Sequence, residues 1–294
     1  MIGELSALAT AILWSGTALA FSAASKRVGS MQVNTARLCF ALVLLSVSVL
    51  ALGLPMRIQT SQLWLLSVSG LIGLVFGDGF LFLAFEKNGA RVSMLIMAIN
   101  PAMTAVLAFF FLGESIAVAA VAGMALTVAG IALVVLDRRE NIPGKRHASW
   151  SGILYAFFGA LGQAVGLIFA KQAFMEGDIH AFVATFWRIA AAVAVMVPAA
   201  FIMRSSRHFV RAYARDRRAL LLTGIGAVIG PYLGITFSLV AIANTKTAIA
   251  ATIMATPPII MLPMVRAISK ERLHWKAVAG AFLAVAGVGI LFLF

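Results

Sequence analysis

Apolar residues run along this chain in long blocks separated by short polar clusters. Ten blocks stand out, at about 3–24, 33–54, 62–85, 92–112, 116–136, 150–170, 182–203, 219–242, 248–268 and 274–294. Each approaches the ~20 apolar residues that an α-helix needs to cross the hydrocarbon of a bilayer. Helices are expected because a helix satisfies its own backbone polar groups in lipid. The short alternating segments of a transmembrane β-barrel are missing. The first block follows Met-Ile-Gly-Glu, which has no basic residue, and it is too long for a secretory signal, so it reads as a retained helix.

Composition agrees with this pattern. Hydrophobic residues make up 62% of the 294 residues and charged ones 11%, against about 45–50% and about 25% in soluble domains. Ten crossings leave too little chain for a soluble domain. A net charge of +13 would suggest nucleic acid for a soluble protein. Here the basic residues sit between apolar blocks, so topology and lipid headgroups are the expected reading, with no nucleic-acid partner. Cys39 is the single cysteine, which excludes a disulfide within the chain.

The connections alternate in charge. One set holds Lys26, Arg27, Lys87, Arg91, Arg138, Arg139, Lys145, Arg146, the arginine-rich stretch 204–218, Arg266, Lys270, Arg272 and Lys276; the other holds Arg57, Lys171 and Lys246. The positive-inside rule puts the crowded side in the cytoplasm and both termini outside a bacterial-type inner membrane.

The chain also repeats itself. At an offset of 157, Ala120-Val-Ala-Gly123 matches Ala277-Val-Ala-Gly280. The same register pairs Gly73 with Gly230, Ala84 with Ala241, Pro101 with Pro258, Glu114 with Glu271 and Gly130 with Gly287. Nearer the front, Arg37 pairs with Arg188, Trp14 with Gln163 and Gly3 with Gly152, at slightly smaller offsets that reflect loop lengths. Five spans per half is an odd number, so the second half is expected to enter the membrane with opposite orientation. Inverted repeats of this kind are an architecture of alternating-access transporters.

These residues carry a resemblance. Ala84-Phe85, Pro101, the Leu112-Gly113-Glu114 turn and Ala129-Gly130 resemble the EamA repeat of the drug/metabolite transporter superfamily, and in particular YddG-like amino-acid exporters. The second half departs from the pattern, with Ser269-Lys270-Glu271 in place of the turn and a doubled Pro257-Pro258. The resemblance implies an all-α membrane protein of ten transmembrane helices, two inverted five-helix repeats around a central cavity lined mainly by helices 1, 3, 4, 6, 8 and 9. The first repeat would cover 1–137, a basic linker 138–149 and the second repeat 150–294. It implies export of amino acids or similar small metabolites, with a drug or nucleotide-sugar type carrier as the alternative. Family members are often drawn with cytoplasmic termini, against the charge count above.

Several polar residues within the spans are candidates for the site. Asp78 is the one acidic residue well inside a span; low dielectric favours its neutral form, which would permit proton coupling. Flanked by Gly77 and Gly79, it could instead satisfy a broken helix. Gly230-Pro231-Tyr232 is the weak point of the other half, where an opened helix could offer backbone groups to a zwitterion or simply kink. Trp14 and Gln163 are equivalent in the two halves and are expected to face one cavity; packing between helices is the alternative. Asn100 before Pro101 and Thr256 before Pro257 set polar groups beside interrupted backbone, and Phe82, Met97 and Tyr155 are candidate walls.

Other polar features have blander readings. Arg37 and Arg188 begin spans close to the boundary and are expected to snorkel or to pair with a carboxylate at a loop. Glu114 and Glu271 are expected to cap helices, and 204–218 to lie on anionic lipid. Gly123, Gly130, Gly280 and Gly287 would let helices approach closely, with a dimer contact as one use. The histidines, His147, His180, His208 and His274, lie in connections without metal-ligand spacing, so no metal is expected. No P-loop, catalytic set or cofactor motif is seen. A lipid-modifying enzyme would need paired acids or histidines at the membrane surface, and a nucleotide-sugar carrier basic residues well inside the spans; neither is read here. The expected partners are a small-molecule substrate and membrane lipid, with the protein a monomer or homodimer.

Overall fold

A computed structural model describes residues 1–113, 118–135, 149–202, 206–269 and 275–293. Glu114, Glu271, the basic residues 138–146, His147, His274 and Arg204 lie outside the described residues. The described residues are 90% helical, with no strand among them.

The first repeat contains α1 (Ile2–Val28), α2 (Ser30–Ala51), α3 (Thr60–Gly70), α4 (Asp78–Met97), α5 (Asn100–Leu112) and α6 (Val118–Val135). The second contains α7 (Trp150–Met175), α8 (Ala181–Ile202), α9 (Ser206–Arg215), α10 (Arg217–Ala227), α11 (Ile235–Asn244), α12 (Thr247–Met254), α13 (Pro257–Ser269) and α14 (Trp275–Leu293). A π-helical segment, Leu71–Gly77, joins α3 to α4, and another, Val228–Gly234, joins α10 to α11. Among the described residues, six stretches are long and apolar enough to cross a membrane: Ile2–Val28, Ser30–Ala51, Thr60–Met97, Trp150–Met175, Ala181–Ile202 and Arg217–Asn244. Shorter apolar helices cover Asn100–Leu112, Val121–Leu133, Ile249–Met264 and Val278–Gly287.

Two blocks expected as single helices are broken. Between α4 and α5 the helix stops at Met97 and restarts at Asn100; between α12 and α13 it stops at Met254 and restarts at Pro257. Proline lacks an N–H and its ring clashes with the preceding turn, so it is tolerated in the first turn of a new helix, where Pro101, Pro257 and Pro258 all lie. Upstream, Gly89 turns the chain inside Thr60–Met97 with φ 75°, a left-handed value that glycine adopts without a Cβ penalty. The π segments and the proline breaks recur at the same displacement: Leu71 to Val228, Met97 to Met254 and Asn100 to Pro257 are each 157 residues apart. The repeat seen in residue types is therefore a repeat of helix interruptions.

The repeats interlock. Helix α1 packs against α10, the second π segment and α11, while its equivalent α7 packs against α3, the first π segment and α4. Helix α2 meets α8, and α6 meets α14. The last contact absorbs the spaced glycines. A Cβ on Gly130 would stand 2.4 Å from Ala284 N, and one on Gly287 2.5 Å from Thr127 N. Thr127 Oγ1 donates across this seam to Ala284 O at 3.2 Å. These glycine faces, expected to be able to serve a dimer, are occupied within the chain.

Contacts gather the connections at two ends. At one, Arg27 pairs with Asp216 at 2.6 Å, Ser30 donates to Glu86, and Asn88 Nδ2 donates to Ser149 O at 3.2 Å. At the other, Lys171 Nζ donates to Ile242 O at 2.7 Å, Gln62 Nε2 to Gly177 O at 3.1 Å, and Thr245 Oγ1 to Glu4 Oε1 at 3.3 Å. Thus α1 begins against Thr245, whereas α7 begins against Asn88.

The Arg27–Asp216 contact yields a pH test. The hydrogen bond from Arg27 holds the Asp216 carboxyl below its usual range, aided by the backbone of Ala219. A depressed carboxylate stabilises the fold above its unfolded value, and that contribution disappears as pH falls through the folded value. Asp216→Asn keeps the helix cap but loses the charge, so it is expected to lower the melting temperature slightly at neutral pH and not at all once the pH lies below the depressed folded value of Asp216. An equal deficit at both pH values would assign the effect to the cap.

Candidate functional site

Where the two repeats meet lies a partly open cavity of about 100 Å³. Its walls come from α1, α2, α4, α7, α8 and α11, the two π segments, and the two proline breaks where α4 meets α5 and α12 meets α13. Most of the lining is apolar or aromatic, including Phe21, Phe82, Phe85, Met94, Met97 and Met254. One cluster of polar groups interrupts it.

That cluster is built by close helix approach. The first π segment lies so near α7 that a Cβ on Gly162 would stand 2.6 Å from Gly77 Cα. This proximity brings Gln163 onto the segment, where its amide donates to Gly73 O at 3.1 Å and to Asp78 Oδ1. Arg37 of α2 donates to Asp78 Oδ2, and its Nε to Asn34 Oδ1 at 2.9 Å. Asn34 in turn donates to Leu74 O at 3.1 Å. The Arg37 guanidinium also lies over the Phe82 ring at 4.8 Å and the Phe21 ring at 5.5 Å, a cation–π arrangement. Every oxygen of Asp78 thus has a donor, and Arg37 has a counterion in a place where an unpaired charge would be costly.

Arg188 of α8 completes the cluster. It is 2% exposed, lines the same cavity, and its Nε and Nη2 atoms have no hydrogen-bond partner. Two buried guanidinium groups therefore line one cavity, and the ion pair of Asp78 is with Arg37.

The expected site residues divide clearly. Trp14, Asp78, Phe82, Met97, Asn100, Gln163, Gly230, Pro257 and Pro258 line the cavity. Asn100 also fastens the proline break to α7, donating from Nδ2 to Ala160 O at 2.9 Å. Tyr155 does not line it; its ring packs 5.7 Å from that of Phe80. Tyr232 points to α2, where its hydroxyl meets Ser48 Oγ at 2.7 Å. Thr256 donates to Ile253 O at 2.8 Å, a local bond that satisfies the broken helix. Gly77 packs against α7, Gly79 has open space at its Cβ position, and Pro231 and Gly230 lie within the second π segment.

Arg37 and Arg188 require a correction. They were expected near the boundary, yet they are 5% and 2% exposed and face the cavity from α2 and α8. Each stands seven residues beyond its helix's first residue, Ser30 or Ala181, and at ~1.5 Å per residue that is about 10 Å of depth. The signal was present: these arginines are equivalent in the repeat. Phe21, Phe85, Met94 and Met254 were also missed as lining, because one apolar residue among many carries no mark of which face it occupies.

The sequence profile of the EamA-like transporter family matches the chain twice, over residues 1–136 and 150–293. One solved crystal structure is similar at 18% identity, with 99% of this chain and 96% of that chain covered and a TM-score of 0.74; this likeness concerns the fold. A search of curated proteins finds no match. Two matched repeats, with helix interruptions at equivalent places around a shared cavity, place this multi-pass membrane protein in the EamA-like transporter family.

Proposed function

We propose that the protein is a secondary transporter that exports amino acids or similar small metabolites by alternating access between two inverted five-helix repeats. The observation that carries this reading is a central cavity walled by both repeats, with proline breaks and π segments at equivalent positions in each. Interrupted helices concentrate bending at a few residues. Met97–Asn100 and Met254–Pro257 are the hinges we assign, with Gly77, Gly79, Gly230 and Pro231 in the adjoining segments. Opposite starting ends for α1 and α7 support the inversion, and ten crossings follow if the shorter apolar helices complete broken spans. The basic end, with Arg27, faces the cytoplasm in this reading, both termini lie outside, and the membrane is a bacterial-type inner membrane.

In this reading Trp14, Phe82 and Met97 accept the apolar part of a substrate, and Asn100, Gln163 and the charged cluster orient its polar part. Tyr155, Tyr232 and Thr256 act through helix packing. A carrier of larger organic anions, including nucleotide sugars, is a second reading, favoured by the two arginines that the cavity holds.

The test is flux into liposomes containing the purified full-length protein, with radiolabelled neutral amino acids, with and without a pH gradient. Saturable uptake of several of them is expected. Silence across the amino acids, alongside flux of a nucleotide sugar or a hydrophobic drug, would replace the proposed substrate class.

A further inference from the structure

We infer that Arg188 is an anion-recognition site, and that the ligand this cavity takes carries one carboxylate on an apolar body. Three observations lead there. Arg188 is buried and faces the cavity, yet Nε and Nη2 lack any acceptor. Buried polar groups are nearly always paired, because a charged donor left without an acceptor loses its hydration and gains nothing in return. The nearby carboxylate is already committed: Asp78 receives Arg37 on one oxygen and Gln163 on the other. The cluster of Arg37, Asp78 and Arg188 therefore has one uncompensated positive charge, which a monoanion would neutralise.

The surroundings select the ligand's chemistry. A guanidinium presents two parallel N–H donors that match the two oxygens of a carboxylate. The remaining walls, with Trp14, Phe82, Met94 and Met97, suit an apolar or aromatic body. Each oxygen of Asp78 already accepts a donor, so an ammonium group would have to share it with Arg37 or Gln163. An amine without a carboxylate is excluded by Arg37 and Arg188, whose like charge repels it. The inference refines the transporter reading and rests on it for direction of flux, though not for binding.

The experiment measures binding to the purified full-length protein by ligand-induced thermal shift, using four compounds with one apolar body: L-leucine, L-leucinamide, 4-methylpentanoate and 3-methylbutylamine. The two acids are expected to bind the wild type at least about tenfold more tightly than the amide and the amine, as one charge-assisted contact implies. Arg188→Gln is expected to erase that preference, and Arg188→Lys to retain part of it. If Arg188→Gln fails to fold, the lysine variant and the wild-type series still decide. Equal binding of acid and amide, an acid preference that survives in Arg188→Gln, competition by inorganic phosphate as strong as by leucine, or no binding of any compound would each overturn the inference. Acid binding that depends on Arg188, without amino-acid flux, would overturn the proposed substrate instead. Flux of leucinamide equal to that of leucine would leave the transporter standing and remove the anion site.

Discussion

Asp78→Asn is expected to cost about 3–5 kcal/mol of stability, because breaking a buried ion pair leaves the other charge uncompensated. Arg37 would keep its contacts with Asn34, Phe21 and Phe82 but lose its counterion. Two buried guanidinium groups would then face one cavity with no carboxylate between them. Removing both partners should be milder than removing one. The double variant Arg37→Gln, Asp78→Asn is expected to recover most of the loss, since the remaining amides can hydrogen-bond without a charge to neutralise. Denaturation of the wild type, both single variants and the double variant in detergent supplies the full cycle. A single Asp78→Asn variant as stable as the wild type would show that the pair contributes nothing. Flux measurements on the same variant address coupling. A changed pH profile would tie proton movement to Asp78, whereas full activity with an unchanged profile would leave it a structural role.

Gly130→Ala and Gly287→Ala are each expected to destabilise the protein by about 1–3 kcal/mol, the usual cost of forcing extra volume into a packed contact. In both, the added Cβ would press on the backbone of the facing helix, at 2.4 Å from Ala284 N and 2.5 Å from Thr127 N. Backbone cannot rotate away, so α6 and α14 would have to separate and stretch the Thr127–Ala284 bond. The same change at Gly289 of α14 meets nothing within 4 Å. There, alanine should stabilise by about 0.5–1 kcal/mol through its better helix propensity. Opposite signs on one helix separate packing from propensity, and thermal denaturation reads both. Destabilisation by Gly289→Ala as large as by Gly287→Ala would count against the close seam.

The site shows where reading a sequence stops. Asp78 and Gln163 declared themselves because a polar group inside an apolar block needs a reason, and Trp14 gained weight from its place opposite Gln163 in the repeat. Tyr232 and Thr256 carried the same mark, a polar side chain beside a helix break, yet one bonds Ser48 and the other its own helix. Proximity to a break does not say which way a side chain turns. Arg37 and Arg188 were read as boundary residues because block edges are blurred by small and polar residues such as Ser30 and Asn34. A helix begun three residues earlier than the apolar block moves an arginine to cavity depth.

Long apolar blocks by themselves determine that this chain is helical and lies in a membrane, because in lipid a backbone satisfies its polar groups only as a helix or a closed barrel, and a barrel would show short alternating segments instead. Paired residues at a constant displacement determine that it is two related halves, and the prolines mark where each half must break. Only the tertiary structure decides which charges meet. Asp78, Arg37 and Arg188 lie on three different helices, and their gathering at one cavity, with Asp78 paired to Arg37, follows from the glycine-lined approach of α7 to the first π segment and the packing of α2 against α8. The energy of a buried charge depends on partners a few ångströms away in space, and spacing along the chain does not encode that distance.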